Sequence, residues 1–453
     1  MGSALMKDNL LVYTIKTTPR LRYILDLILN DLIGIDFQIT HDVHTFIDHK
    51  GPRLSYCDQA LADEPFFFAS RLLFEKGIED QQINVFEWKG TPVFFGTHPK
   101  YTMPFDLFAA SFYLVSRYEE YLPHIKDDHM RFSPQQSLAF QKGFLNKPVV
   151  NIWAQELKRI LQSHYPELSF REKHYKYIST FDIDSAYAYS EKGIMRHVGA
   201  FTLAIFTFNF SKILERLRVL LQLDQDPYDT YEWQLKIRKK YNLRQIYFFL
   251  VGDYGEYDKN IPVEGSRKFQ SLIKSLADYT DVGVHPSYGS NTNKDQLRKE
   301  IRRLSKVLKR EVTKSRQHYL KVTFPDTYRN LIEFDIQEDY TMGYASEIGF
   351  RASICTPFNF YDLDLDVETS LKLFPFMLMD GTMKDYMKLS PEESIARSKS
   401  LVDEVRAVNG TFITLWHNQS VNDRDEWKGW QHVYEAIVEY ASPSMPTPSN
   451  AKV

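Results

Sequence analysis

The chain has 453 residues, a formal net charge of −3 and 43% hydrophobic residues. Its length predicts two domains, and its hydrophobic content is that of a folded protein with a large core. Acidic and basic residues are mixed without an uninterrupted basic block, which excludes a nucleic-acid-binding surface and favours small or neutral substrates. The cysteines, Cys57 and Cys355, exclude a disulfide framework and predict a reducing, cytoplasmic environment, although the two could pair with each other.

The first 172 residues are predicted to form an N-terminal α/β accessory domain, of which residues 1–5 resemble a cloning remnant. A strand is predicted over Leu10 to Ile15, and apolar residues at positions i, i+3 and i+4 predict a helix over Arg20 to Ile33. An aromatic-rich helix follows, with Asp106 as its predicted N-cap. Three charged residues near the end of that helix are predicted to form salt bridges or a domain contact rather than a catalytic site: Arg117, Glu119 and Glu120.

From His174 onward, predicted strands and helices alternate, which indicates a parallel sheet. The predicted strands are Tyr175 to Phe181, Gln245 to Val251, Thr280 to Val284 and Thr411 to Trp416. The predicted helices are Ser266 to Tyr279, Asn293 to Arg310 and Pro391 to Val408. With about seven such strands and polar motifs in the loops after them, a closed or nearly closed (β/α) barrel over residues 173–441 is favoured over an open sheet. The Pro- and Ser-rich residues 442–453 are predicted to be a disordered tail.

Residues 193–223 are predicted to be a helical insertion in the second domain. The apolar run from Val198 to Phe210 is too short for a membrane span, which needs about 20 residues. It continues into a segment from Lys212 in which apolar residues at helical spacing alternate with bases. A hairpin packed on its own domain is the favoured interpretation. Peripheral contact of residues 198–223 with a membrane surface is the alternative.

Two aspartates end the first strand of the second domain. Asp182 and Asp184 are two residues apart and are therefore expected to point to the same side of the chain. Two carboxylates in one site repel each other unless a cation or hydrogen-bond donors intervene, so the pair favours a metal ion or divided acid and base roles. Turn-forming aspartates after a strand are the alternative.

Three histidines follow later apolar segments at similar positions. His285 ends a predicted strand, His318 lies between Arg316 and Tyr319, and His417 ends the last predicted strand. Zinc accepts His and Asp ligands and keeps an open position for water in catalytic sites. An imidazole such as that of His417 can donate a proton to a leaving group. The sequence therefore predicts a metal-dependent hydrolytic site built from strand ends.

The four motifs, in this order, resemble those of the polysaccharide deacetylase family, the NodB-type (family 4) carbohydrate esterases that remove N- or O-acetyl groups from glycans. Members of that family carry T-F-D-D, H-[ST]-x-x-H, R-x-P-Y and L-x-H. The corresponding segments, within residues 174–440, are Thr180-Phe-Asp-Ile-Asp, His285-Pro-Ser-Tyr-Gly, Arg316-Gln-His-Tyr and Leu415-Trp-His. The resemblance implies a distorted (β/α) barrel of the deacetylase type that binds a divalent metal.

The resemblance also implies catalytic roles. By position, Asp182 resembles the general base and Arg316 the residue that orients it. His417 resembles the general acid, and Tyr319 would lend its backbone N–H to the oxyanion.

For the metal, the resemblance implies Asp184, displaced by one residue, and His285 as ligands. The family's second histidine corresponds to Gly289, so His318, in place of the family's proline, is the expected substitute. Zinc is the expected ion, with cobalt or nickel as alternatives.

The expected function is removal of acetyl groups, N- or O-linked, from a polysaccharide or glycan precursor, in a divergent branch associated with envelope polysaccharides. A catalytically inactive, glycan-binding or scaffold barrel is the alternative, and a glycoside hydrolase with paired carboxylates is a lesser one. The expected location is cytoplasmic, with possible peripheral attachment to a membrane. The expected substrate contacts are Arg351, Tyr288, Trp416 and Phe358.

Overall fold

The computed structural model describes residues 9–206, 208 and 210–443. The predicted cloning remnant at residues 1–5 and residues 444–453 of the predicted tail lie outside the described residues. No helix in the described ranges is both long and apolar enough to cross a bilayer.

The N-terminal part is built on a four-stranded parallel sheet in the order β2-β1-β3-β4, followed by an antiparallel pair, β5 and β6. The strands are β1 Leu10–Thr14, β2 Phe37–Thr40, β3 Arg53–Cys57, β4 Phe66–Phe68, β5 Phe86–Trp88 and β6 Thr91–Val93. The helices are α1 Pro19–Leu25, α2 Val43–Asp48, α3 Leu107–Val115, α4 Tyr118–Tyr121, α5 Leu138–Gln141 and α6 Val149–His164. A π-helix, Asp26–Leu32, continues α1, so the predicted first helix exists but changes its winding halfway. The predicted N-cap of α3 is confirmed, because the Asp106 carboxylate accepts the Ala109 N–H.

The C-terminal part is built on a nine-stranded mixed sheet in the order β12-β13-β11-β10-β9-β8-β7-β15-β14. Its strands are β7 Lys176–Ile183, β8 Arg244–Phe249, β9 Asp281–Val284, β10 Lys314–Ser315, β11 Glu338–Asp339, β12 Phe358–Asp362, β13 Val367–Leu373, β14 Leu378–Met379 and β15 Thr411–His417. Its helices are α7 Ile194–Phe206, α8 Phe210–Leu220, α9 Tyr231–Lys240, α10 Arg267–Ala277, α11 Lys294–Leu308, α12 Asp326–Glu333, α13 Pro391–Ala407 and α14 Trp430–Ala441. Only the β12–β13 pairing is antiparallel among the described strands of this sheet, so the predicted parallel character is largely confirmed.

The two edges of this sheet, β12 and β14, are not paired with each other in the described residues. The chain between β13 and β14 nevertheless forms hydrogen bonds with the loop after β11 and with β15, which lie towards opposite ends of the sheet. The Phe376 N–H donates to the Met342 carbonyl (3.1 Å), and the Met377 N–H donates to the Ile413 carbonyl (3.0 Å). Continuous strand pairing around a ring is not shown, so the closed barrel stays a prediction.

A buried ionic network joins the two parts of the chain. The Arg117 Nε lies 2.8 Å from Glu120, and the Arg351 Nη2 lies 2.6 Å from the same carboxylate. All three side chains are buried. The predicted salt bridges at the end of the aromatic helix are thereby confirmed, and they form a contact between the parts. The exact boundary at residue 172 stays a prediction, since one connected cluster of buried apolar residues runs through both parts.

The carboxyl ends of four strands bring the predicted motifs together: β15 and β7 are adjacent, and β9 and β10 lie on the other side of β8. Asp182 on β7 stands in register with His417 on β15. Val284 on β9 stands opposite Ser315 on β10, which places the residues that follow each strand side by side. Because all four strands are parallel, their polar ends meet at one edge of the sheet.

Candidate functional site

A cavity of about 340 Å³ opens at the carboxyl ends of the C-terminal sheet. Its wall contains most of the residues that the motifs predicted: Asp182, Asp184, His285, His318, Tyr319 and His417. Side chains from segments more than 230 positions apart in the chain thus share one small space.

Three side chains at the base of this cavity form a cluster that could hold a metal ion. The Asp184 Oδ1 lies 3.3 Å from the His285 Nε2 and 3.7 Å from the His318 Nε2. The ligand atoms of all three residues lie within 4.8 Å of one another. The Asp184 Oδ1 is buried and accepts no hydrogen bond from the described residues. A buried carboxylate oxygen without a donor, facing two imidazole nitrogens, fits a divalent cation, because such an ion satisfies all three ligands at once.

Second partners fix the orientation of both histidines in the cluster. The His285 Nδ1 lies 2.5 Å from the Arg316 carbonyl, which can only accept, so Nδ1 is the donor and Nε2 faces Asp184. The His318 Nδ1 lies 2.8 Å from the Asp258 carboxylate. A histidine ligand whose other nitrogen is bound to an oxygen is the usual arrangement at metal sites, because it holds the ring in position.

The charges around Asp184 favour its ionised form. Burial acts to raise its pKa, but the surrounding imidazoles outweigh burial and hold the pKa well below its ordinary value. For His318, burial acts to lower the pKa, whereas Asp184 and Asp258 raise it to about 9. The cluster as described therefore balances an anion against imidazolium, and a metal ion would take over the positive charge.

Asp182 lies beside the cluster and is paired with a buried guanidinium. The Arg316 Nη1 donates to the Asp182 Oδ1 at 2.9 Å and to the Thr180 hydroxyl at 2.6 Å. The guanidinium is completely buried and lies 4.7 Å from the centre of the Phe248 ring. The other carboxylate oxygen of Asp182 is 3.7 Å from the His285 Nε2. Arg316 thus holds one oxygen of Asp182 and leaves the other facing the cavity.

His417 is held from behind by a carboxylate that the sequence did not reveal. The His417 Nδ1 lies 2.8 Å from the Asp380 Oδ1, and the His417 N–H donates to the Asp380 Oδ2 at 2.7 Å. The His417 Nε2 faces the cavity, 3.8 Å from the Asp184 Oδ2. Burial acts to lower the pKa of His417, but Asp380, Asp184 and Asp182 raise it to about 10. The protonated form is therefore favoured at neutral pH, as a proton donor requires.

Tyr319 forms part of the cavity wall through an unusual backbone conformation. Its φ of 59° and ψ of 10° lie in the left-handed region, which a non-glycine residue adopts only when its surroundings demand it. The Tyr319 carbonyl accepts the Arg131 Nη1 at 2.7 Å, which holds the loop in place. The turn directs the backbone around the cavity just after His318.

None of the four predicted substrate contacts lines the cavity. Arg351 is buried in its ion pair with Glu120, and Phe358 and Trp416 are buried in the core, where Trp416 packs 5.0 Å from the Tyr434 ring. Phe358 and Trp416 are therefore core residues, because their aromatic rings contact other side chains instead of the cavity. Tyr288 stacks at 4.2 Å on Tyr257, which does line the cavity.

At Gly289, where the sequence departs from the family motif, the chain supplies no metal ligand to the cluster. Gly289 lies in a short 3-10 helix, Tyr288–Asn291, and a Cβ there would meet Gln296 rather than the cluster. The second imidazole of the cluster belongs instead to His318, in the loop after β10.

Several residues of the site were not predicted from sequence. Asp380 ends an apolar run, residues 374–379, and could have been found from that run although β14 itself has only two residues. Asp258 lies in a long loop and carries no such signal. Three basic residues also line the cavity: Arg131, Lys192 and Lys259.

Comparison with known proteins gives one sequence match and several remote structural ones. Residues 10–166 match DUF7033, a family of unknown function. No curated protein matches the chain in sequence.

Among solved structures, one from Mycobacterium smegmatis described as a polysaccharide deacetylase is 15% identical, with a TM-score of 0.40, and the match covers 61% of this chain and 87% of that one. A structure from Pseudomonas aeruginosa PAO1, also described as a polysaccharide deacetylase, is 11% identical with a TM-score of 0.36, covering 59% and 84%. BA3943, a CE4 family pseudoenzyme from Bacillus anthracis, is 10% identical with a TM-score of 0.29, covering 60% and 61%. These structural matches are remote, and the function of the chain has to be inferred from the geometry of its own site.

Proposed function

We propose that this protein is a metal-dependent hydrolase that removes acetyl groups from a polysaccharide or glycan precursor. The observation that carries the proposal is the cluster of Asp184, His285 and His318, with Asp182 and His417 beside it in the same cavity. A deacetylase-type barrel is part of the proposal. It is supported by the hydrogen bonds of the segment between β13 and β14 with the loop after β11 and with β15.

Asp184, His285 and His318 would hold the cation, with zinc as the proposed ion and cobalt or nickel as alternatives. When bound, such an ion polarises an acyl carbonyl and lowers the pKa of water. Three protein ligands are the usual number in a catalytic zinc site, since a fourth position stays open.

The residues of the chain divide the proton transfers between them. Asp182, held by Arg316 at 2.9 Å, takes the proton from the attacking water. His417, kept protonated by Asp380, gives its proton to the departing amine or alcohol. The Tyr319 N–H is the proposed donor to the tetrahedral oxyanion, and one such donor is worth about 3 kcal/mol in other hydrolases.

An inactive, glycan-binding barrel is the second candidate, and the observation that favours it is Gly289 at the position of the family's second histidine. The position of His318 in the cluster speaks against it. A glycoside hydrolase is not favoured, because Asp182 and Asp184 both approach the same imidazole nitrogen of His285, at 3.7 and 3.3 Å. Catalytic carboxylates of glycosidases flank a sugar bond instead.

Acetate release tests the proposal. Zinc-loaded protein is expected to release acetate from an N-acetylglucosamine oligomer or from acetylated xylan. Asp182→Asn is expected to lower the rate at least about 100-fold, since general-base catalysis contributes that much, while the zinc content stays unchanged. Asp58→Asn, at an exposed carboxylate of the N-terminal part, is the matched control. Full activity of Asp182→Asn would show that another group acts as the base.

A further inference from the structure

The helices α7 and α8 form a hairpin that exposes an unusual amount of apolar surface. Of the 22 large hydrophobic side chains that are exposed in the described part of the chain, eleven lie between residues 195 and 223. Scattered exposed hydrophobic residues are normal, but a concentration of them in one element marks an interaction surface.

Apolar and charged residues occupy different parts of this hairpin. Residues 198–211 contain no charged side chain. Phe206 and Phe208 lie at the end of α7 and in the turn, and they are 78% and 80% exposed. On either side of this uncharged run, within residues 193–223, basic residues outnumber acidic ones four to one: Arg196, Lys212, Arg216 and Arg218 against Glu215.

We propose that the hairpin, residues 193–223, docks on an anionic membrane surface. The phenylalanines at the turn enter the boundary between headgroups and acyl chains, and the basic residues of α8 lie at the level of the lipid phosphates. Helices that bind at the membrane interface have the same arrangement, with Phe and Leu towards the acyl chains and Lys and Arg towards the headgroups. The basic flank complements anionic lipids although the whole chain carries a charge of −3.

The intramolecular partners of the basic flank do not prevent this docking. Lys212 contacts Asp425 at 2.5 Å, and Arg218 contacts Asp224 at 2.7 Å. Both pairs lie at the surface, where ion pairs contribute little to stability, so lipid phosphates can replace the carboxylates. Arg216 lies 4.7 Å from the Tyr189 ring, which anchors α8 to the protein.

The base of the hairpin lies at the rim of the cavity. Lys192, two residues before α7, lines the cavity. Arg196 on α7 donates to the Asn260 carbonyl at 2.8 Å, next to Lys259 on the cavity wall. The 13 residues of α7 span about 20 Å, so docking would bring the cavity within about one helix length of the lipid. A substrate carried on a lipid would suit this position. The docking itself does not depend on the proposed deacetylation.

Flotation of the full chain with lipid vesicles tests the docking. The protein is expected to float with vesicles of phosphatidylcholine and phosphatidylglycerol and to bind pure phosphatidylcholine more weakly, with binding reduced by salt. The combined variant Phe206→Ser, Phe208→Ser and Phe210→Ser is expected to lower the bound fraction at least about tenfold. The matched control changes three exposed apolar residues elsewhere and should float like the wild type: Ile125→Ser, Tyr279→Ser and Leu365→Ser.

A fluorescent label at the turn gives a second readout that does not require the triple variant to fold. Cys57 and Cys355 are buried, so a dye attaches to Phe208→Cys selectively. Its emission is expected to shift to the blue with mixed vesicles. Flotation without that shift, or flotation of the triple variant at wild-type level, would overturn the proposal. A wild-type protein that does not bind mixed vesicles would overturn it as well. If that protein sediments as a dimer and the triple variant as a monomer, the hairpin contacts a second copy of the chain instead.

Discussion

At the scale of single residues, the atom that binds each histidine's Nδ1 distinguishes the roles of the three imidazoles. His285 donates to a backbone carbonyl, which holds the ring with its Nε2 facing Asp184, as a metal ligand requires. His417 is bound to the Asp380 carboxylate, which favours the imidazolium form of an acid. His318, bound to Asp258, combines an orienting carboxylate with a position in the metal cluster.

Asp380→Asn tests the role of the carboxylate behind His417. Because Asp380 raises the pKa of His417, its removal lowers that pKa, and His417 then loses its proton at a lower pH. The alkaline limb of the profile of kcat/KM against pH is expected to move to lower pH by about 1 unit or more. Asp385→Asn, at an exposed carboxylate nearby, serves as the control. An unchanged alkaline limb would mean that His417 does not supply the proton.

The sequence predicted the residues of the site that follow long apolar strands. Asp182, His285 and His417 could be placed because parallel strands of one sheet end at one edge. Asp258 could not be predicted in this way, because it lies in a loop whose path depends on tertiary contacts. Arg351 carries a charge that suggests a substrate contact, but only the structure reveals its buried partner, Glu120.

At the scale of elements, close packing around β9 determines where His285 lies. Gly283 in this strand is tightly enclosed, since a Cβ there would lie 2.6 Å from the Phe248 ring and 2.8 Å from the Lys314 carbonyl oxygen. β9 is also the strand on which β10 pairs, through Val284 and Ser315. Glycine at this position therefore permits the close approach of the strands that carry His285 and Arg316.

Gly283→Ala is expected to disturb this packing. The added methyl group has no free space, so the variant is expected to lose about 1–3 kcal/mol of unfolding free energy in urea. Zinc affinity should fall as well, because His285 follows two residues later. Gly265→Ala adds a methyl group where nothing lies within 4 Å, and its stability should stay within about 0.5 kcal/mol of the wild type. If Gly283→Ala is as stable as Gly265→Ala, the packing around Gly283 is not as close as the structure indicates.

The elements that sequence patterns predicted well are the long ones. The strand predicted from Tyr175 to Phe181 is observed as Lys176–Ile183, and the helix predicted from Asn293 to Arg310 is Lys294–Leu308. The strands β10, β11 and β14 have two residues each, which is too short for any alternation to appear. Their positions depend on pairing with neighbouring strands rather than on local pattern.

At the scale of the whole molecule, buried charge links the N-terminal part to the sheet that carries the site. Burial acts to raise the pKa of Glu120, but Arg351 and Arg117 outweigh it and lower the pKa. A carboxyl with a depressed pKa stabilises the fold at pH values above its pKa in the unfolded chain, and this contribution is lost as the pH falls. The contact between the two parts is therefore expected to weaken in acid.

Glu120→Gln tests this link. The substitution leaves two buried guanidinium groups without their shared carboxylate, so the free energy of unfolding is expected to fall by about 3–5 kcal/mol. Urea unfolding, followed by circular dichroism at neutral and acidic pH, measures the loss, and the difference from the wild type should shrink towards acidic pH. Glu172→Gln, at an exposed carboxylate, is the control and should change little. Wild-type stability of Glu120→Gln would exclude an energetic role for the network.

Zinc content tests most directly whether this cavity is a metal-dependent catalytic site. Elemental analysis of protein purified without chelator is expected to give about one zinc per chain, and both His285→Ala and His318→Ala are expected to lose it. His174→Ala, at an exposed histidine, should keep the metal. Full zinc occupancy in His318→Ala would remove His318 from the ligand set. A wild-type chain that binds no zinc would contradict the metal-dependent hydrolase and favour a binding or scaffold protein.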